Sequence, residues 1–286
     1  MTASDRERPT IKEVIDRYDL MPKKSLGQNF LLDLSLTQKI ARCASLTNDD
    51  IVIEVGSGPG ALTRALLESE AHKIYAIEKD ERAIKAADLL KDWYGGRFEI
   101  LNADALTIDT TRFAMPGKHL KIVANLPYNI STTLLISWLH QVKSFDCFVL
   151  MFQKEVADRL VAKPDTKVYG RLSILSQWLC SVEKCFDIAP VAFYPPPKIV
   201  STVVRFTPKK DLIFDAEDFK ILETLTHHAF GQRRKMLRQS LKGFIPGTES
   251  VLQSLGLDPS LRAENLTIDD FLTLKDYVKE RKHLLS

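Results

Sequence analysis

The sequence predicts a doubly wound, Rossmann-like α/β domain followed by a small all-helical domain. Three observations carry that expectation. Short apolar runs rich in β-branched residues alternate with helical periodicity from residue 50 to residue 206, the rhythm of a mostly parallel sheet covered on both faces. The first run leads straight into Gly56-Ser57-Gly58-Pro59-Gly60 and then into a helical pattern, the strand–turn–helix order of nucleotide-binding sheets. From about residue 215 to residue 285 the pattern is helical, with breaks at Gly243 to Gly247 and Gly256 to Pro259. The expected organisation is an appendage at 1–21, a sheet domain at 22–208, and a domain of about four helices at 209–286.

Residues 1–21 are polar, with one weakly helical stretch at 11–18, and read as a mobile appendage unless something docks on them. A basic, glycine-containing segment from Pro22 follows, ends in Gln28-Asn29 and Phe30-Leu31-Leu32-Asp33, and leads into a helix at 36–43. The strand at 50–55 precedes the glycine loop. Glycines allow close backbone approach to a ligand, and the helix at 61–67 offers unsatisfied N–H groups. Ala61 breaks the G-x-G-x-x-G spacing and no Gly-Lys-Ser/Thr follows, which argues against a P-loop and weakens a dinucleotide reading.

The next strand, 73–77, ends in Glu78, about 20 positions beyond the loop and at the place where a carboxylate accepts from ribose hydroxyls. A helix at 81–93 and a strand at 98–102 lead to Asp104, which can accept from an exocyclic adenine amine at a third strand's carboxyl end. The strand at 120–124 ends in Asn125-Leu126-Pro127-Tyr128. An amide, a fixed backbone carbonyl and a flat ring at one strand end can grip a planar heterocycle by its edge and face. Ser131 is expected to cap a helix at 132–140, and a strand at 145–152 and helices at 154–160 and 172–179 come next. A short strand at 185–188 precedes Phe193-Tyr194-Pro195-Pro196-Pro197-Lys198, where consecutive prolines stiffen the backbone beside the aromatics. An alternating run at 199–206 closes the sheet.

A hydrophobic content of 45% and a charged content of 27% are those of a globular protein. No apolar run approaches the ~18 residues of a membrane span, and 4–17 carries charge throughout, so a cytoplasmic protein without membrane association is expected. Cys43, Cys147, Cys180 and Cys185 show neither C-x-x-C nor zinc spacing, so no metal is expected. The net charge of +3 says little, but its distribution says more. Ile188 to Lys210 contains no acid, and neither does Thr224 to Thr248. Lys198, Lys209, Lys210, Arg233, Arg234, Lys235 and Arg238 in these stretches are the expected contacts to a polyanion's phosphates.

Four stretches in a fixed order, Lys24 to Leu31, Glu54 to Thr63, Asn125 to Tyr128 and Phe193 to Ser201, resemble the S-adenosylmethionine-dependent rRNA adenine dimethyltransferases of the rRNA adenine N(6)-methyltransferase family, nearest to its small-subunit branch. The resemblance runs from about Pro22 to the C-terminus and includes Arg262-Ala263-Glu264-Asn265-Leu266. Ser57 stands where the family often has proline, and Ile199 where valine is usual; neither change removes a side chain that carries chemistry. The resemblance implies S-adenosyl-L-methionine as methyl donor and small-subunit rRNA, in an immature ribosomal subunit, as partner, with the protein acting as a monomer. It implies that Gln28, Asn29 and Leu31 close over the cofactor, that Gly56 lies against its methionine portion, that Glu78 holds the ribose hydroxyls and that Asp104 meets the adenine amine, with Gly58, Lys79 and Ala105 also among the cofactor-binding residues. Asn125 lies where both substrates meet. Its side-chain carbonyl and the backbone carbonyl of Leu126 or Pro127 would accept from the target amine, while Tyr128 and Phe193 stack on the base. Two alternatives share these motifs: a large-subunit rRNA methyltransferase of the macrolide-resistance type, and a non-catalytic ribosome-assembly or transcription factor.

Overall fold

The computed structural model describes residues 8–23 and 27–281. Its strands are β1 (Phe30–Leu31), β2 (Asp50–Val55), β3 (Lys73–Glu78), β4 (Phe98–Asn102), β5 (His119–Ala124), β6 (Cys147–Gln153), β7 (Cys180–Ile188), β8 (Phe193–Tyr194) and β9 (Ser201–Pro208). Its helices are α1 (Ile11–Arg17), α2 (Leu34–Cys43), α3 (Ala61–Leu67), α4 (Glu81–Asp88), α5 (Lys91–Tyr94), α6 (Ser131–His140), α7 (Lys154–Leu160), α8 (Arg171–Leu179), α9 (Ala216–Gly231), α10 (Leu237–Ser240), α11 (Thr248–Ser254) and α12 (Ile268–Glu280). The chain divides into two compact units, one running to Ala157 and resuming at Glu183–Pro208, the other formed by Asp158–Val182 and the chain from Lys209 onward.

The first unit is built on a seven-stranded sheet of order β4-β3-β2-β5-β6-β9-β7. The pairs from β4 through β6 are parallel, and β9 runs antiparallel to β6. Every residue of β2 is buried, as a strand covered on both faces requires. Strand order reverses between β2 and β5, so the ends of these two neighbours, Val55 and Ala124, flank the point where a doubly wound sheet opens a crevice. One apolar cluster packs Val52, Ile74, Val123 and Val149 of the sheet with Leu62, Leu66 and Leu90.

A second cluster involves residues expected to form a loose appendage. Ile11, Val14, Ile15 and Leu20 pack with Phe30, Ala61, Ala83 and Ala86. Thr10 and Glu13 close a reciprocal capping box at the start of α1, and the buried Arg64 donates to the Pro9 carbonyl at 2.6 Å. The segment is therefore docked from Arg8 onward; its few apolar residues lie on one helix face and find a partner surface in α3 and α4.

Three further expectations are corrected. The helix expected over 81–93 breaks after Asp88, because Leu90 closes a tight bond to the Ala87 carbonyl and turns its side chain into the core. Ser131 is the first helical residue and not the cap; its hydroxyl donates to the Tyr128 carbonyl at 3.1 Å. The run over 199–206 does not alternate at an edge: Ser201 to Val204 are all buried, because β9 lies between β6 and β7.

In the second unit, Trp178 of α8 packs against Phe214 and Phe219, and Phe230 of α9 stacks on Phe271 of α12 with ring centres 5.9 Å apart. Lys275 and Lys279 of α12 pair with Asp218 at the start of α9 at 3.0 and 2.9 Å. The expected boundary at 208/209 left Asp158–Val182 with the sheet domain. Those residues group with the helical unit, because α8 supplies part of its apolar core.

Candidate active site

A cleft in the first unit lies over the carboxyl ends of β2, β3, β4 and β5. Its floor begins at the glycine loop. The Gly58 N–H donates to Glu78 Oε2 at 3.1 Å, and a Cβ at Gly58 would stand 3.0 Å from the Phe30 ring in a left-handed backbone (φ +50°). Glu78 is buried, and its other oxygen accepts from the backbone N–H groups of Lys79 (2.8 Å) and Asp80 (2.9 Å). Three fixed donors thus orient this carboxylate.

Asp104 follows β4. It accepts the Leu106 N–H at 3.0 Å and pairs with Lys79 Nζ at 2.9 Å. The backbone bond first, and the Lys79 ammonium second, hold its carboxyl below the usual range. Leu106, 45% exposed, adds an apolar wall beside it.

Asn125 follows β5. Its amide Nδ2 donates to the Asn29 carbonyl at 3.4 Å, so the donor end of the amide is committed and the carbonyl end is the one left to accept. Nearby, Gly27 packs closely on the same wall: a Cβ there would stand 2.7 Å from Asn129 Oδ1. The Pro127 carbonyl accepts from the Ile130 N–H at 3.1 Å. The half-buried Tyr128 shares a 2.5 Å hydroxyl contact with Ser201 Oγ, and burial raises its phenol pKa.

The structure brings together, around one cleft, Gln28, Asn29, Gly56, Glu78, Lys79, Asp104 and Ala105 from the expected cofactor set, and Asn125, Leu126, Pro127 and Tyr128 from the expected catalytic set. Gly58 acts one layer behind, through Glu78. Leu31 and Phe193 are not brought to the cleft: they pair with each other between β1 and β8, are 4% exposed, and belong to the core. Lys24, Ser25 and Leu26 lie outside the described residues. Sequence reading missed Asn129, Ile130 and Leu106 on the cleft wall; only their adjacency to Tyr128 and Asp104 marked them.

Glu54 lies two residues before the loop, fully buried, with no well-formed hydrogen bond to either oxygen among the described residues. Burial, opposed in part by the neighbouring Thr63 hydroxyl and aided by some repulsion from Glu78, pushes its carboxyl up to about 8.

The expected phosphate contacts divide. Lys198, Lys210, Arg234 and Lys235 are exposed. Arg233 pairs with Glu264 at 2.8 Å and donates to the Tyr169 carbonyl, Arg238 pairs with Glu249 at 3.3 Å, and Lys209 donates to the Gln177 carbonyl at 2.7 Å. No helix among the described residues is long and apolar enough to cross a membrane.

The family model for ribosomal RNA adenine dimethylase matches residues 20–280. The chain is 49% identical over 269 residues to the ribosomal RNA small subunit methyltransferase A of Rhodopseudomonas palustris (strain BisA53), covering 93% of each chain. It is 48% identical over 277 residues to that of Afipia carboxidovorans, covering 96% of this chain and 97% of the relative. Among solved structures, a dimethyladenosine transferase from Plasmodium falciparum superposes with a TM-score of 0.74 at 28% identity, over 87% of this chain and 97% of that one. The 23S rRNA methyltransferase ErmE has a TM-score of 0.65 at 24% identity, over 88% of this chain and 100% of that one, and shares the fold. The chain belongs to the ribosomal RNA adenine dimethylase family.

Proposed function

We propose that the protein methylates the 6-amino groups of adenosines in small-subunit (16S) rRNA, twice per base and on two adjacent adenosines, using S-adenosyl-L-methionine. The observation that carries this reading is the Asn125 amide, turned by the Asn29 carbonyl so that its own carbonyl is the acceptor, in a cleft edged by two oriented carboxylates. The donor set suits the cofactor: Glu78 for the ribose hydroxyls, Asp104 for the adenine amine, and the Gly56 backbone, at a φ of +77°, for the methionine portion. When bound there, the sulfonium supplies an electrophilic methyl group.

The residues of the chain do the rest by position. Adenine's amino nitrogen is a poor nucleophile because its lone pair is delocalised into the ring. Asn125 Oδ1 and the Leu126 carbonyl accept its two N–H bonds; the Pro127 carbonyl, engaged by Ile130, is the weaker candidate. Two such acceptors draw the nitrogen toward tetrahedral geometry and stabilise the positive charge that develops on it. No strong base is required, since a tetrahedral ammonium next to the ring sheds its proton readily. Tyr128, steadied by Ser201, offers a face on which the base stacks. The monomethylated amine retains one N–H for Asn125 in the second round.

The full-length likeness to small-subunit enzymes supports the small-subunit substrate, and with it an immature ribosomal particle, a cytoplasmic location, a role in subunit biogenesis and a monomeric enzyme. The test is transfer of labelled methyl from S-adenosylmethionine to unmethylated small subunits, naked small-subunit RNA and large subunits, with nucleoside analysis. Dimethyladenosine on the small subunit alone is expected. Label on large subunits would move the reading to the macrolide-resistance type, and tight subunit binding without label would favour a non-catalytic assembly factor.

A further inference from the structure

Gln28 and Asn29 line the cleft from the N-terminal side. Among the described residues just before β1, the Gln28 N–H donates to the Lys23 carbonyl at a long 3.4 Å, yet Gln28 and Asn29 must sit still for the Asn29 carbonyl to fix Asn125. What holds them is a polar cluster at the start of α4. Arg82 donates to the Asp19 carbonyl at 2.5 Å and to the Met21 carbonyl at 3.4 Å, gripping the turn that follows α1. The same guanidinium binds both carboxylate oxygens of Asp80, Nε to Oδ1 at 3.0 Å and an Nη to Oδ2 at 2.6 Å. Asp80 in turn accepts from Gln28 Nε2 at 3.2 Å, and Gln28 Oε1 accepts the Lys23 N–H at 2.9 Å.

We propose that Asp80 and Arg82 are positioning residues for cofactor binding, a fork-to-fork clamp that ties residues 19–23 and Gln28 to the strand end bearing Glu78. The proposal rests on the reading that Gln28 and Asn29 face the cofactor. Three features give the clamp this role over that of a surface ion pair. The Asp80 side chain is 3% exposed and that of Arg82 23%. A planar five-donor fork is the group able to serve two carbonyls and a carboxylate at once. The same acid is the N-cap of α4 and follows Glu78 by two positions, so the clamp and the ribose-facing carboxylate share one short stretch of backbone. The Arg82 hydrogen bonds hold the Asp80 carboxyl down to about 2, so the pair stays ionised through the physiological range.

The test measures binding of S-adenosylhomocysteine by calorimetry, alongside thermal midpoints and amide exchange of the ligand-free protein. Arg82→Met is expected to weaken binding about tenfold or more, with a smaller loss of kcat at saturating cofactor, and to speed exchange over 19–29 while the central strands stay protected. Arg82→Lys, which keeps the charge without the fork, is expected to fall between, and it decides the matter if Arg82→Met does not fold. Unchanged affinity in Arg82→Lys and Arg82→Met, or faster exchange spread evenly over the first unit, would overturn the proposal. Failure of the unsubstituted protein to bind S-adenosylhomocysteine would overturn the cofactor reading itself, and the clamp with it.

Discussion

Asn125, Glu78 and Glu54 show how differently three polar side chains are used within one short reach of the sheet. Glu78 is oriented by three backbone donors, and under the proposed reading its charge is what the ribose hydroxyls meet. Glu78→Gln is expected to weaken S-adenosylhomocysteine binding about ten- to a hundredfold, the loss of a charged hydrogen-bond acceptor, with little change in kcat at saturation; equilibrium binding checks it. Glu54 is the opposite case. Folded, it keeps its proton up to about 8, whereas the unfolded chain loses it near 4.5. Folding therefore takes up a proton between those values, and this group makes stability fall as pH rises through that window, by about 1.4 kcal/mol per pH unit. Glu54→Gln removes that slope. Denaturation midpoints of the two proteins should coincide near the acid end of the window and separate, with the variant more stable, toward pH 8.

At the scale of elements, β2 to β6 were legible because each is a short apolar run bounded by a turn residue. β1 and β8 were not, and β7, expected over 185–188, begins at Cys180 and runs through charged residues. β2 and β4 begin and end where the pattern changes. Asn125, Glu78 and Asp104 were legible for the same reason: each stands at a strand's carboxyl end, where a parallel sheet opens. Phe193 was not, since an aromatic beside prolines reads the same whether it faces a ligand or, as here, the core. Nor was docking of α1 evident. A seven-residue helix with four charges carries too little periodicity to show which surface it covers, and that surface is made of alanines from helices far along the chain. The packing should nevertheless be felt. Leu20→Ala, at a fully buried site, is expected to cost about 2–5 kcal/mol in chemical denaturation.

At the scale of the whole molecule, the cleft belongs to the first unit, while most of the expected phosphate contacts belong to the second. The acid-free stretch from Thr224 to Thr248 overstated its free charge, because Arg233 and Arg238 are paired with Glu264 and Glu249, one beyond that stretch and the other just past its end. Arg234 and Lys235 remain exposed. Arg234→Ala with Lys235→Ala is expected to weaken RNA binding and lower the slope of log affinity against log salt by about 1–2, leaving S-adenosylhomocysteine affinity unchanged; filter binding across a salt series measures both terms. The central claim, however, concerns a single amide whose orientation is set by a neighbouring carbonyl. Asn125→Ala tests it most directly, through single-turnover methylation of unmethylated small subunits measured beside S-adenosylhomocysteine affinity. The methyl-transfer rate should drop by about a hundredfold or more, the scale of removing one oriented transition-state contact, while cofactor affinity changes by only a few fold. Equal losses in rate and affinity would contradict the role assigned to Asn125.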